Sequence, residues 1–319
     1  MFQSIQAMLL SLILQCLTFV SLNVENMFDC EHDSLKNDTE WLPEGANHWN
    51  KNRYWHKLNH IAQEIIACGE KENDWQLPDL VALCEVENDS VMRDLTKRSL
   101  LRNARYEYVM TQSLDPRGID VALMYSPFSF SLIESKSFRV NPLKNMHAPR
   151  DILYVKGMLQ GDDTLHVFVV HAPSRTGGER KTRSHRLVVA QRLCEVVDSI
   201  LCSSPHAKIV VGGDFNDVRE SPSLLMIQEH DLHDISVDVQ GKHGALGTYR
   251  YQGEWGSLDH IFVSSTMVDF LYDCQIFDAP FLLEEDEKNG GMKPFRTFNG
   301  PRYIGGFSDH LPLVARFRF

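Results

Sequence analysis

The chain has 319 residues, 43% hydrophobic and 24% charged, a composition that suits a globular protein and excludes a disordered or low-complexity one. Its net charge of −11 speaks against a protein that coats nucleic acid without preference, because such binding rests on Lys and Arg neutralising phosphates. It does not exclude an enzyme that meets a phosphate through a local basic rim or a bound cation.

From the N-terminus, residues 8–20 form an apolar run (MLLSLILQCLTFV) that reads either as a short export signal or as the start of a strand. No Lys or Arg precedes it and no small-residue cleavage site follows; the balance leans slightly towards export, with a cytoplasmic start as the close alternative. Leu17 to Leu22 reads as a strand ending at Asn23. Tyr54, Leu58, Ile61 and Ile65 recur at helical spacing and predict a helix over about 50–68. Leu80 to Cys84, Ile119 to Tyr125, Leu165 to Val170 and Lys208 to Gly212 read as buried strands. Leu187, Ala190, Cys194, Val197 and Leu201 mark a second long helix, and Leu258 to Val263 and Leu311 to Phe317 close the series of strands. Strands alternating with helices imply a layered α/β core, and without a Pro/Gly/Ser linker residues 17–319 read as one domain behind an apolar segment 1–16. Segments 29–49 and 278–306 lack periodicity and read as surface insertions, of the kind that form rims or lids. The seven cysteines are odd in number and include no C-x-x-C pair, so most are expected to be buried, reduced thiols.

Polar residues gather at the strand ends: Asn23-Val-Glu25-Asn26, Glu85-Val-Glu87-Asn88, His171, Asp214-Phe-Asn216-Asp217, Asp259-His260 and Asp309-His310. One such end is ordinary, but six are hard to assign to solvation, since ligands of α/β sheets bind where strand-end loops gather. Asp214 and Asn216 are two apart, so an extended backbone points both to one face, roughly 7 Å apart. A carboxylate that takes a proton beside an amide that donates to an oxyanion suits attack on phosphorus; a plain turn is the equal competitor. Glu85 follows the buried run LVALC, where a carboxylate is costly unless paired or bound to a cation such as Mg²⁺. Asp259 with His310 and Asp120 with His171 are the expected carboxylate–imidazole pairs. Arg175, Arg180, Lys181, Arg183 and Arg186 form the densest basic cluster, read equally as a phosphate-binding rim or as a solvated helix start. Trp41, Trp49 and Trp55 suit core or lid packing better than base stacking.

The chain resembles the endonuclease/exonuclease/phosphatase superfamily through SLNVEN, ALCEVEN, GIDVALMYSP, VVHAPSR, VGGDFND, GSLDHIFVS and FSDHLP, which fall in the family's order between residues 21 and 312. The resemblance implies a four-layer α/β sandwich, two packed mixed β-sheets flanked by helices. It implies that Asn23, Glu85 and Asp309 hold a metal, Mg²⁺ with Mn²⁺ as substitute. By the same match, Asp214 activates or orients water, Asn216 holds a phosphate oxygen, and Asp259 orients His310 against the scissile phosphate. His171 and Asp120 match a catalytic histidine and its acidic partner in the deoxyribonuclease branch, a pairing that abasic-site endonucleases lack. Glu25 departs in length from the acidic residue of some branches.

The expected function is therefore in-line hydrolysis of a phosphodiester by a metal-dependent enzyme. Nucleic acid is the leading substrate, from His171 and the Arg175 rim. A phospholipid or small phosphomonoester is the alternative, and a binding-only scaffold a remote one. The expected state is a monomer with no protein partner.

Overall fold

The computed structural model describes residues 16–71, 74–144, 146–161 and 163–319. The export-signal expectation on the first 15 residues lies outside them. Among the described residues, no helix is long and apolar enough to cross a membrane.

Eighteen strands follow in chain order: β1 Cys16–Met27, β2 Leu80–Val86, β3 Glu107–Met110, β4 Asp120–Tyr125, β5 Phe130–Phe138, β6 Ile152–Leu159, β7 Thr164–His171, β8 Lys208–Asp214, β9 Leu232–Asp234, β10 Tyr249–Tyr251, β11 Glu254–Gly256, β12 Asp259–Ser264, β13 Leu271–Ile276, β14 Leu283–Glu285, β15 Met292–Pro294, β16 Phe298–Asn299, β17 Arg302–Tyr303 and β18 Leu313–Arg318. Twelve of them build two six-stranded mixed sheets, ordered β13-β18-β1-β2-β4-β3 and β5-β6-β7-β8-β12-β9. Only β1/β2 and β7/β8 run parallel; each other pair within the two sheets is antiparallel. The remaining six form three short hairpins.

Period-two alternation decides which side chains meet between the sheets. Val167 and Val169 of β7 join Phe19 and Leu17 of β1 in one core. Phe168 and Val170, one residue out of phase, join Val189, Leu193 and Val197 of the helix Glu179–Ser203 in a second. On the far side, the helix Lys51–Ala67 covers the first sheet through Leu58, Ile61 and Ile65. The result is helix, sheet, sheet, helix: the expected four-layer sandwich. The helix Lys51–Ala67 starts where Asn50 accepts the N–H groups of Asn52 and Arg53, and Asn88 caps the helix Asp89–Lys97 in the same way.

Where the sheets pack closest, β8 carries glycines. A Cβ on Gly212 would lie 2.6 Å from the Phe19 ring of the facing sheet. Gly213 has φ +149°, and a Cβ there would lie 1.8 Å from the carbonyl of Val170. These two glycines let β8 reach the seam between the sheets, just before Asp214.

The segment 29–49 is irregular as expected, with one 3₁₀ turn, Thr39–Trp41, and no strand. Two other expectations need correction. The segment 278–306 is not irregular: it holds β14–β17 as two hairpins, whose short strands carry no readable alternation. The cysteines are unpaired, but only Cys68, Cys84 and Cys194 are buried. Trp41 and Trp49 are buried against Phe28, Phe298 and Tyr303, which is packing and not a stacking platform.

Gly212→Ala should lower stability by about 1–3 kcal/mol, the cost of overpacking a closed core. Gly213→Ala, which meets backbone, should cost more. Denaturant unfolding measures both, and a Gly212→Ala protein as stable as the parent would contradict this account of the seam.

Candidate active site

The inward phase of each strand carries a polar residue to the same end of the sandwich. In β1 the phase 17, 19, 21 ends at Asn23; in β8 the phase 210, 212 ends at Asp214. Registry aligns His171 of β7 and Asp259 of β12 with Asp214 on either side. Asn23 donates its amide across the seam to Asp214 Oδ2 at 3.0 Å. The Asn216 backbone N–H and side-chain amide donate to Asp214 at 2.8 and 3.1 Å.

Irregular backbone places the remaining groups. The β1/β2 and β2/β4 ladders slip register around Asn23–Met27 and Cys84–Val86. Glu25, Asn26, Glu85 and Asn216 have φ of 49°, 51°, 69° and 50°, four of the nine non-glycine residues in the left-handed region among those described. That conformation costs energy, and its concentration here marks a site over-determined by its surroundings. The bulge turns Glu85 so that Oε2 accepts the Asn26 N–H at 2.8 Å while Oε1 lies 3.8 Å from His171 Nε2.

Two histidines face Asp214 Oδ2: His171 Nε2 at 3.6 Å and His310 Nε2 at 4.0 Å. Their electrostatics are opposite. Burial, then Arg150 and Arg117, hold the His171 imidazole well below its usual pKa, so it is neutral. Burial also opposes charge on His310, but Asp259, with its charge and its hydrogen bond, and then Asp214 and Asp309 outweigh it and hold the imidazolium. Burial raises the Asp214 carboxyl; His310 opposes and Asp259 adds. Asp259 Oδ2 bonds His310 Nδ1 at 2.7 Å, the expected pair.

The other expected pair does not form. Asp120 accepts from Thr111 Oγ1 at 2.5 Å and from the Ser113 N–H at 3.0 Å, while His171 Nδ1 is buried without a partner. The β3–β4 connection supplies nearer donors, and sequence proximity to β4 alone could not reveal them. Asn216 also departs from expectation: its amide donates to Asp214 and to Ala172 O at 3.1 Å, so it positions the carboxylate and has no N–H left for a phosphate. Arg175 donates to Asn216 O at 2.7 Å and lies 3.5 Å from Asp217. Arg186 is buried against Asp217 at 2.9 Å, and Arg183 pairs with Glu179. Two of the five basic residues, Arg175 and Arg186, thus brace the 214–217 loop.

Sequence reading passed over several residues of the site. Arg296 approaches Asp309 Oδ2 at 3.3 Å, Tyr249 packs its ring 4.9 Å from that of His310, and Arg117 bonds Asn26. Lys57, fully buried, donates to Thr297 Oγ1 at 2.7 Å and to Phe307 O, and lies 3.8 Å from Glu25. His260 bonds Asp234 at 2.8 Å and Asp217 O at 3.1 Å behind the site. Periodicity marks Lys57 as a position on the helix near Leu58, but nothing marks its partner 240 residues away.

Asp214, Asp259 and His310 bring ligand atoms within 4.8 Å of one another. The Asp259 bond to His310 Nδ1 leaves Nε2 facing Asp214, an arrangement that suits proton handling. Glu85, Asp309 and Asn23 offer the oxygen donors that a hard divalent cation takes. Burial, then the Asp309 charge, raise the neighbouring Glu25 carboxyl, while Lys57 and Arg296 oppose.

The sequence matches the endonuclease/exonuclease/phosphatase family over residues 18–318, and the chain belongs to it. No curated protein is matched. Among solved structures, a Bacteroides thetaiotaomicron mannosyl-6-phosphatase is 16% identical with a TM-score of 0.62, over 95% of this chain and 100% of that one. A family protein of unstated activity from the same organism is 16% identical, TM-score 0.60, over 96% and 98%. The human Nocturnin catalytic domain with bound sulfate is 17% identical, TM-score 0.58, over 95% and 94%. At these identities the likeness is one of fold. The chain is a metal-dependent phosphoesterase of this family, with a buried acidic and histidine cluster at its strand ends.

Asp259→Asn and His310→Ala should each lower kcat by about 10²–10³, the loss of one preorganised stabiliser, and the double variant should be little worse than either single. Steady-state kinetics on any turned-over phosphoester tests this. Multiplicative losses would show that the two side chains act separately.

Proposed function

We propose that this phosphoesterase uses Mg²⁺ to hydrolyse phosphodiesters of nucleic acid. The supporting observation is a ring of arginines around a buried floor. Arg117 is tied to Asn26, Arg175 to Asn216 and Arg296 to Asp309, and each is at least partly exposed. A strand carries phosphates on both sides of the bond to be cut, and arginines spaced around the floor suit such a polyanion. The local ring matters more than the net charge of −11, since the field near a site follows its nearest charges.

Asn23, Glu85 and Asp309 would hold the cation, which when bound supplies positive charge against the phosphoryl and leaving oxygens. The chain's own residues handle the protons. Asp214, with its raised pKa, is matched to take a proton from water near neutral pH. His310, kept charged by Asp259, stabilises the developing negative charge or gives its Nε2 proton to the leaving alkoxide. Neutral His171 sits beside Glu85 without repelling a cation there, and its Nε2 can hydrogen-bond the phosphoryl group.

A small phosphomonoester is the second reading. Arg175 spends its Nε on Asn216 and Arg186 is buried, so less of the basic cluster faces substrate than a nucleic-acid rim would use. A fold neighbour also bears the name of a mannosyl-6-phosphatase.

Purified protein stripped of metal should be inactive and regain activity with Mg²⁺ or Mn²⁺. On plasmid DNA, RNA, a phospholipid, a hexose 6-phosphate and bis(p-nitrophenyl) phosphate, we expect cleavage of DNA or RNA, with Asp214→Asn slower by about 10²–10³. Turnover of the hexose phosphate alone, or of the phospholipid alone, would replace the nucleic-acid reading.

A further inference from the structure

The residues around the site differ in how far their hydrogen-bonding capacity is already spent. Arg150, behind His171, donates to Asp115 at 2.9 Å and to Ala172 O at 2.8 Å and is buried. Arg186 and Arg175 hold Asp217 and Asn216. Arg296 is different. A guanidinium has five N–H donors, and this one spends few of them: one hydrogen bond to the Asp309 carboxylate at 3.3 Å and one to Tyr249, with Glu25 attracting it from further off. The Asp309 bond is longer than the roughly 2.7–2.9 Å of a closed charge-assisted bond. The side chain is 28% exposed.

The backbone beneath Arg296 is rigid. Its carbonyl accepts from Gly306 N–H at 3.0 Å, and the neighbouring Phe295 carbonyl accepts from Phe307 N–H at 2.6 Å. A Cβ on Gly306 would lie 2.1 Å from Phe295 O, so glycine is what allows the two segments to close. The next residue, Thr297, donates its N–H to Glu25 Oε2 at 2.7 Å and is held by buried Lys57. The stem of Arg296 is therefore anchored to the end of β1, while its head is loosely held.

Tyr249 completes this wall. The Arg296 guanidinium carbon lies 6.0 Å from the Tyr249 ring centroid, at the outer reach of a cation–π contact. That ring packs on His310, and the Tyr249 backbone bridges the His310 backbone. Arg296 and Tyr249 thus stand on the His310 side of the floor.

We propose that Arg296 is a substrate-binding residue that holds a phosphate oxygen of the substrate from the His310 side, with Tyr249 bracing its guanidinium. The planar fork suits two oxygens of one phosphate, and its loose hold on Asp309 leaves N–H donors to spend on substrate. The inference rests on the phosphoester reading of the site but not on the identity of the ester.

The test uses the full chain with Mg²⁺ and inorganic phosphate as probe, measured by calorimetric titration, alongside Mg²⁺ titration without phosphate. Arg296→Met should weaken phosphate binding about 10- to 100-fold, the range of a hydrogen bond to a charged group, and should not weaken Mg²⁺ binding, since it frees the Asp309 carboxylate of its ion pair. Arg296→Lys keeps the charge, loses the fork, and should recover only part of that loss; it also serves as the folded control if the methionine variant melts early. On a turned-over ester the loss should fall more on KM than on kcat. A changed Mg²⁺ affinity with unchanged phosphate binding would overturn the proposal and make Arg296 a charge balance for Asp309. So would unchanged phosphate binding in both variants, or no phosphate binding by the parent. If the parent binds phosphate through Arg296 but cleaves no nucleic acid, the substrate reading fails and this one stands.

Discussion

Everything at the open end of this sandwich depends on one buried carboxylate. Asp214 is 2% exposed, and a carboxylate taken out of water must be met by donors or by cations. The fold meets it from both sheets: Asn23 from one, Asn216 from its own loop, and two histidines on either hand. The seam is narrow because Gly212 leaves room for Phe19. Tight packing and the site are therefore two consequences of one close approach between sheets.

The same burial separates the two histidines. Both are nearly sealed from water, which disfavours the charged imidazole in each. Only His310 has a carboxylate bonded to its ring, so it keeps the proton, while His171 lies near Arg150 and Arg117 and stays neutral. Two residues of one type thus carry different proton loads for reasons that lie wholly in their neighbours.

A second circuit ties the loop 297–310 to the first strand. Lys57, Glu25 and Thr297 form a buried polar knot, and Ser308 donates its hydroxyl to Asn23 O at 2.6 Å. Asp309 and His310 follow directly in the chain. Residues far apart in sequence are fixed relative to Asn23 by bonds, and Arg296 is carried on the same frame. A stretch that looks irregular in one dimension is in this way the support of one wall of the site.

Strand phase was legible in the sequence because alternation and apolar runs are local, and burial acts on each residue in turn. Asn23, Glu85, His171, Asp214, Asp259 and His310 were readable as polar residues at or beside strand ends, and the fold gathers them at one end of the sandwich. The Asp259–His310 contact was also legible, since an imidazole beside an acidic residue invites a carboxylate partner. What tertiary structure alone decided was competition. Asp120 went to Thr111 and Ser113 and not to His171, because those donors lie closer in the folded chain. Arg175 and Arg186 of the basic cluster went to Asn216 and Asp217 because the 214–217 loop lies against them. Lys57 entered the site through a contact across 240 residues, and Arg296 from between hairpins too short to leave a periodic trace. Sequence determines which groups can bond; only the fold determines which of them arrive first at the partner.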